Sequence, residues 1–366
     1  MKNFLRSELD ILKPYSPGKP ISDVKRELGL KMVIKLASNE SPYPPFEEAI
    51  EAIWSARNEV YRYPDSGCVD LKNKLASFLD VPESNLMIGN GSNELLRLLA
   101  QICLNSGDEV IMANPSFIVY PTVTKMMGGV CQEIPLADNH RHNLKNMLST
   151  VNERTKIVFI CNPNNPTGTI VSKKEVDDFM REVPKSVMVV FDEAYFEYVD
   201  DEDYPNGLDY FCEGNLVVVL RTFSKIYGLA GLRIGYGVAS RSIVSAVDKV
   251  REPFNVNSLA QVAAIASLDC GIKVEERKRL TLEGKFFLYK EFKDLGLKFI
   301  ESQTNFILVD VGMDSRKVFN KLLQLGVIVR TGDIFGPSYE NFIRITIGTT
   351  EENKKLIRTI KEVLSC

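Results

Sequence analysis

A lysine that directly follows an apolar run is the first residue to weigh as chemistry. Lys225 closes the stretch Arg221-Thr222-Phe223-Ser224-Lys225 behind the run Leu216 to Leu220, and Arg233 lies shortly after it. An amine that is to form a Schiff base must shed its proton near neutral pH, which requires partial burial or a cationic neighbour such as Arg233. Taken singly, a loop lysine is far more often solvated. Asp192 ends Val189-Val190-Phe191, so its carboxylate leaves a buried run where an unpaired charge is costly. It needs a cationic partner. A protonated pyridine nitrogen is one, and protonation makes that ring an electron sink for a carbanion on the attached carbon. An arginine partner, or a role capping the next helix, would account for Asp192 equally well.

Other residues add contacts that a flat, phosphorylated ring would use. Tyr195 follows Asp192 closely, and Asn165 sits in Asn164-Asn165-Pro166-Thr167-Gly168, where prolines and glycine stiffen the turn. Both offer hydrogen bonds to a phenolic oxygen, although each alone is commonly a structural turn residue. A phosphate would find the backbone amides and hydroxyl of Ser92 at a helix start, the hydroxyls of Thr222 and Ser224, and the guanidinium of Arg233. Phe117, behind Asn114-Pro115-Ser116, has the shape to stack on a ring, though an aromatic beside a strand is more often core. Gly89-Asn90-Gly91 lacks the third glycine of a dinucleotide fingerprint, and the chain has no Walker lysine, so a nicotinamide dehydrogenase is disfavoured.

These residues share a position in the pattern. From about residue 85 to 240, short apolar runs alternate with amphipathic stretches, as expected for a parallel sheet covered by helices on both faces. The runs are Leu86 to Ile88, Val110 to Met112, Ile157 to Cys161, Val187 to Phe191, Leu216 to Leu220 and Ile234 to Val238. Leu95, Leu98, Leu99 and Ile102 keep helical spacing behind Ser92-Asn93-Glu94. Ligands in open parallel sheets bind at the carboxyl ends of strands, so the polar segments after these runs should converge on one site. After about residue 255 the texture changes to charged helices and short strands, including Phe306 to Val309, Val327 to Val329 and Phe342 to Ile345, which predict a smaller α+β domain. Residues 1–30, rich in proline, read as an arm; 31–255 as a large domain; 256–366 as a small one.

With 366 residues, 45% hydrophobic and 25% charged, two domains are the default expectation. A net charge of -3 supplies no basic field for nucleic acid. No apolar run approaches the roughly twenty residues of a membrane span. Acidic residues stand where a signal peptide would be apolar, so the reading is cytoplasmic. Seven scattered cysteines without a CxxC pair argue against a disulfide framework or thiolate metal site and read as buried reduced thiols. His140 and His142 lack a ligand cluster, read as part of a solvated loop, and no metal is expected.

Thr222-Phe223-Ser224-Lys225 with Gly228 to Tyr236, Asn165-Pro166-Thr167-Gly168 and Asp192-Glu193-Ala194-Tyr195 together resemble the fold type I pyridoxal-phosphate-dependent aminotransferases. Within them, Leu12-Lys13-Pro14-Tyr15, Leu36-Ala37-Ser38-Asn39-Glu40, Arg62-Tyr63-Pro64-Asp65, Val329-Arg330 and Ile343 to Thr349 resemble the histidinol-phosphate aminotransferase family. The resemblance implies a mainly parallel seven-stranded α/β domain with a smaller α+β domain, and pyridoxal 5'-phosphate as cofactor. It implies that Lys225 forms the Schiff base and later moves the proton between substrate and cofactor carbons. Asp192 would pair with the pyridine nitrogen, Tyr195 and Asn165 with the ring oxygen, and Ser92, Asn93, Thr222, Ser224 and Arg233 would lie about the phosphate, with Phe117 on the ring face. Tyr63 would reach the phosphate of the neighbouring subunit, implying a homodimer with shared sites. Tyr15, Asn39, Arg330 and Arg344 would line the substrate pocket, the two arginines facing a substrate anion. Phe117 stands where some relatives carry tyrosine, and Asn93 where relatives carry an acid.

The activity so implied is transamination between L-histidinol phosphate and 2-oxoglutarate in histidine biosynthesis. Aromatic amino acid aminotransferases and threonine-phosphate decarboxylases share the scaffold and are the alternatives. A non-catalytic ligand sensor would require an attached DNA-binding module, for which the spread of motifs from Tyr15 to Thr349 leaves no room.

Overall fold

A computed structural model describes residues 4–12, 14 and 18–365. The larger of its sheets has seven strands: β1 (Leu86–Gly89), β2 (Glu109–Asn114), β3 (Val130–Pro135), β4 (Thr155–Cys161), β5 (Met188–Asp192), β6 (Val217–Thr222) and β7 (Gly235–Val238). Their order is β1-β7-β6-β5-β4-β2-β3. Only β7 runs against its neighbours, so the carboxyl ends of the other six point the same way.

Strict alternation along the central strands divides the core into two layers. Val158, Ile160, Val189, Phe191, Val217 and Val219 face one layer, and Ile157, Phe159, Met188, Val190, Val218 and Leu220 the other. Strands buried on both faces must be apolar throughout, which is why these runs carry almost no polar side chain. Strand β3 was not among the apolar runs, because it lies at the sheet edge and its residues are half-buried or exposed. Helix α1 (Ser92–Cys103) buries Leu95, Leu96, Leu98 and Leu99 on the second layer, as does Tyr120 from α2 (Val119–Met126).

A second, antiparallel sheet of four strands, ordered β10-β11-β9-β8, is formed by β8 (Lys298–Ile300), β9 (Phe306–Asp310), β10 (Arg330–Thr331) and β11 (Phe342–Thr346). The long helix α3 (Gly271–Asp294) and α4 (Thr350–Leu364) cover it, the latter opened by a reciprocal Thr349–Glu352 capping box. Far earlier in the chain, Ile34–Lys35 pair in parallel with Val327–Ile328, and Ile34 and Leu36 join this lobe's core. The segment after Leu36 therefore passes from the small lobe to the floor of the large one.

Two side-chain expectations change. His142 is not in a solvated loop: it is buried, its Nε2 lies 3.0 Å from Asn164 Oδ1, and burial pushes its pKa down to about 4. The polar stretch around it folds inward to meet the Asn164 turn. Of the described cysteines, Cys68, Cys161 and Cys270 are buried, Cys103 and Cys131 half-buried and Cys212 exposed.

Candidate active site

The carboxyl ends of β1, β2, β4, β5 and β6 surround a cavity of about 220 Å³, closed on the far side by the small lobe. Ser92, Asn93, Phe117, Asn165, Asp192, Tyr195, Thr222, Ser224, Lys225, Arg233, Asn39, Arg330 and Arg344 all line it. Tyr63 does not: it is 81% exposed and stacks on Phe254 with ring centroids 4.6 Å apart. Tyr15 lies outside the described residues.

Asp192 is the last residue of β5 and 2% exposed. Its Oδ2 accepts a hydrogen bond of 2.8 Å from Tyr120 Oη, while Oδ1 is buried without a partner. Burial raises its pKa to about 6 against the lowering effects of Tyr120, the Ala194 amide and Lys225. Lys225, past the end of β6, approaches the Ser38 carbonyl at 3.4 Å and lies 5.5 Å from the centroid of the Tyr195 ring. Burial first, then the positive fields of Arg344 and Arg233, bring its pKa down to about 8, partly offset by Glu40 and Asp192. The loop after Lys225 is pinned by the half-turn from Lys225 O to Gly228 N and by Arg277, whose Nη1 donates 2.8 Å to Ile226 O and whose Nη2 donates to Pro44 O.

Tyr195 Oη accepts from Asn39 Nδ2 at 2.9 Å and from Asn165 Nδ2 at 3.4 Å. Asn39 is in turn fixed by its backbone N–H, which donates to Thr346 Oγ1 of β11 at 2.9 Å. Arg344, also on β11, donates from Nη1 to Asn165 Oδ1 at 2.6 Å and from Nη2 to Ala37 O at 3.0 Å. Arg330 stands opposite Arg344 in the strand register. The small lobe thus supplies two cations to one wall.

The other end of the cavity is shaped for an anion. Arg233 donates to Ser224 Oγ at 3.3 Å, and the Thr222 hydroxyl accepts from the Ser224 amide at 3.1 Å. Gly91, at φ 79°, precedes the first turn of α1, and a Cβ there would lie 2.5 Å from Arg233 Nη2. Only glycine allows the guanidinium to cross that helix start.

Tyr120 and Arg277 are functional neighbours that the sequence reading missed. Tyr120 sits one helical turn beyond Phe117, and that spacing was the available signal. Behind the site, Glu193 forms a buried ion pair with Arg221 (Nε to Oε2 2.9 Å) and accepts from Gly207 N at 2.6 Å.

Comparison with known proteins follows the same lines. The family described as "Aminotransferase class I and II" matches residues 31–360. A histidinol-phosphate aminotransferase of Moorella thermoacetica is 52% identical over 97% of this chain and 91% of its own length, and one of Caldicellulosiruptor saccharolyticus is 50% identical over 98% and 99%. A crystal structure of histidinol-phosphate aminotransferase from Sinorhizobium meliloti, in complex with pyridoxal-5'-phosphate, superposes with a TM-score of 0.91 at 28% identity, covering 99% of this chain and 98% of that one. An aspartate aminotransferase of Thermus thermophilus, at 22% identity and a TM-score of 0.86 over 98% and 99% of the two chains, shares the fold.

Proposed function

The chain belongs to the class I and II aminotransferases, and from that membership we propose a pyridoxal-phosphate-dependent enzyme that moves an amino group between L-histidinol phosphate and 2-oxoglutarate. The observation that carries this reading is the juxtaposition of Asp192 and Lys225 on one cavity, a buried carboxylate with an unpartnered oxygen and an amine whose proton is easily lost. The residues fit the cofactor: the Asp192 Oδ1 lone pairs call for a cationic N–H donor, and the Gly91–Arg233–Ser224 corner calls for an anion.

When bound, pyridoxal phosphate supplies an aldehyde for amines and a ring that withdraws electrons from the substrate carbon. The chain's own residues do the rest. Asp192 would hold the ring nitrogen protonated, and Tyr120 would keep the carboxylate turned toward it. Lys225 would bind the aldehyde and then, as a neutral amine, take and return the proton at the reacting carbon; with a pKa near 8, about a tenth is neutral at pH 7. Tyr195 and Asn165 would hold the ring oxygen, Phe117 the ring face, and Ser92, Asn93, Thr222, Ser224 and Arg233 the phosphate. Asn39, Arg330 and Arg344, with Tyr15, would receive the substrates, the arginines matching the phosphate and carboxylate groups of donor and acceptor.

The proposal includes a homodimer in which Tyr63 of each protomer serves the other's phosphate. In support, Tyr63, Tyr61, Val60 and Trp54 are all exposed and outside the cavity of their own chain. It also includes the division into an arm (1–30), a large domain (31–255) and a small domain (256–366), with Ile34–Lys35 lent to the small sheet. No helix among the described residues is long and apolar enough to cross a membrane. A cytoplasmic setting accords with free thiols at all six described cysteines.

The test compares initial rates on histidinol phosphate, phenylalanine and threonine phosphate, with 2-oxoglutarate as acceptor and carbon dioxide release monitored. Histidinol phosphate should give the highest kcat/KM by at least about tenfold, the effect of one added charge-assisted contact. A higher value on phenylalanine, or carbon dioxide from threonine phosphate, would replace the proposal.

A further inference from the structure

A cavity of about 680 Å³ opens between the lobes, built by loops of the large lobe near residues 139–141, 169–175 and 200–203 and by α3 and β8 of the small one. Lys285 of α3 forms part of its wall and is 3% exposed. Among the described residues it makes no hydrogen bond or ion pair. Of the four other lysines of this helix, Lys290 and Lys293 are exposed, Lys278 is half-buried, and Lys273 pairs with Glu48 at 2.7 Å. Lys285 takes no part in the proposed transamination site.

The surroundings of Lys285 set its chemistry. Leu282, Phe286 and Ile300 supply apolar wall, and the Tyr289 hydroxyl is already engaged as acceptor for the Ser302 amide. Asp200, Asp201, Asp203 and Glu301 stand along the cavity's edge, while Arg141 and Glu175 neutralise each other. Desolvation pulls the amine's pKa below the ordinary lysine value and Lys278 adds to this, against an opposing pull from Asp200. A lysine that is buried, unpaired and open to a cavity is a nucleophile with its lone pair more available than that of a solvated lysine. The acidic edge makes the approach of anions unfavourable and leaves neutral electrophiles unhindered by charge.

We propose that Lys285 is a modification site, acylated by neutral thioesters in preference to the exposed lysines of the same helix. In that step the amine lone pair attacks the thioester carbonyl, the C–N bond forms as the C–S bond breaks, and the thiolate leaves. The proton lost from nitrogen passes through solvent to the thiolate. The products are an amide and a thiol, with no oxidant or reductant required.

The experiment uses the full chain loaded with pyridoxal phosphate, so that Lys225 is engaged, and the neutral probe S-acetyl-N-acetylcysteamine at pH 7.5, with acetylation mapped by peptide mass spectrometry over time. Lys285 should be acetylated severalfold faster than Lys290 and Lys293, since burial lowers its pKa and raises the fraction of neutral amine facing the cavity. Lys273 should be slowest. In Lys285→Arg the early acetyl incorporation on the peptides of α3 should fall by more than half, with transaminase turnover unchanged. Acetyl phosphate, an anion, should show a smaller preference for Lys285. Equal rates at Lys285 and Lys290, or full early incorporation in Lys285→Arg, would overturn the proposal. An undiminished preference with acetyl phosphate would overturn its restriction to neutral donors.

Discussion

Two acids stand side by side at the end of β5 and face opposite sides of the sheet. Glu193 is closed on all sides: one oxygen takes the Gly207 amide, the other the Arg221 guanidinium, and Arg221 is itself held by Asn206 and covers the Phe196 ring. Asp192 is equally buried, yet one oxygen has Tyr120 and the other has nothing. Buried polar groups are rarely left unsatisfied. The two faces of the strand therefore teach different lessons: the paired acid is satisfied by its own chain, and the half-paired one has an oxygen left for the ring nitrogen that the proposed function assigns to it.

Substitutions on the two faces should separate activity from stability. Lys225→Ala, on the cavity face, is expected to lower turnover on the order of 10⁴-fold and to abolish the visible absorption change on adding pyridoxal phosphate, with unfolding unchanged. Asp192→Asn should cost roughly 10³-fold in kcat. It should also make the cofactor-free protein more stable at pH 7. The folded Asp192 binds its proton more tightly than an ordinary aspartate, with a pKa of about 6 against 3.8, so its contribution is present below pH 4 and lost as pH rises through 6. The stability difference between variant and wild type should therefore vanish near pH 4 in urea titrations.

On the opposite face, Arg221→Met should destabilise by about 3 kcal/mol, because it strands the buried Glu193 charge. Turnover per folded molecule should stay within about threefold of wild type. Loss of activity without loss of stability in this variant would erase the distinction between the faces. Tyr120→Phe should weaken cofactor affinity about tenfold, the worth of one hydrogen bond to a charged group, and shift the pH midpoint of cofactor binding upward. An unchanged midpoint would remove Tyr120 from the site.

Much of this was legible in the chain because chemistry and sheet geometry coincide. The apolar runs that end at Cys161, Phe191 and Leu220 mark strands, and the polar residues just past them fall at one edge of the sheet by construction. Strand β3 escaped because an edge strand need not be apolar. Tyr120 left only its spacing from Phe117 as a trace, and the Glu193–Arg221 pair escaped because pairing across strands is decided by tertiary register. The burial of His142 depended on Asn164, a partner in a different loop. The lending of Ile34–Lys35 to the small sheet likewise has no local signal beyond two buried-type residues.

One feature of the small lobe has a temporal meaning. Arg344 already holds the side chain of Asn165 and the carbonyl of Ala37, so the carboxylate or phosphate proposed to bind it would have to compete for a guanidinium that is in use. If an anion were to take over Arg344 as proposed, Asn165 Oδ1 would lose its donor while its Nδ2 stays beside Tyr195 Oη. A single hydrogen bond, from Arg344 to Asn165, thus couples the substrate end of the pocket to the Tyr195 end.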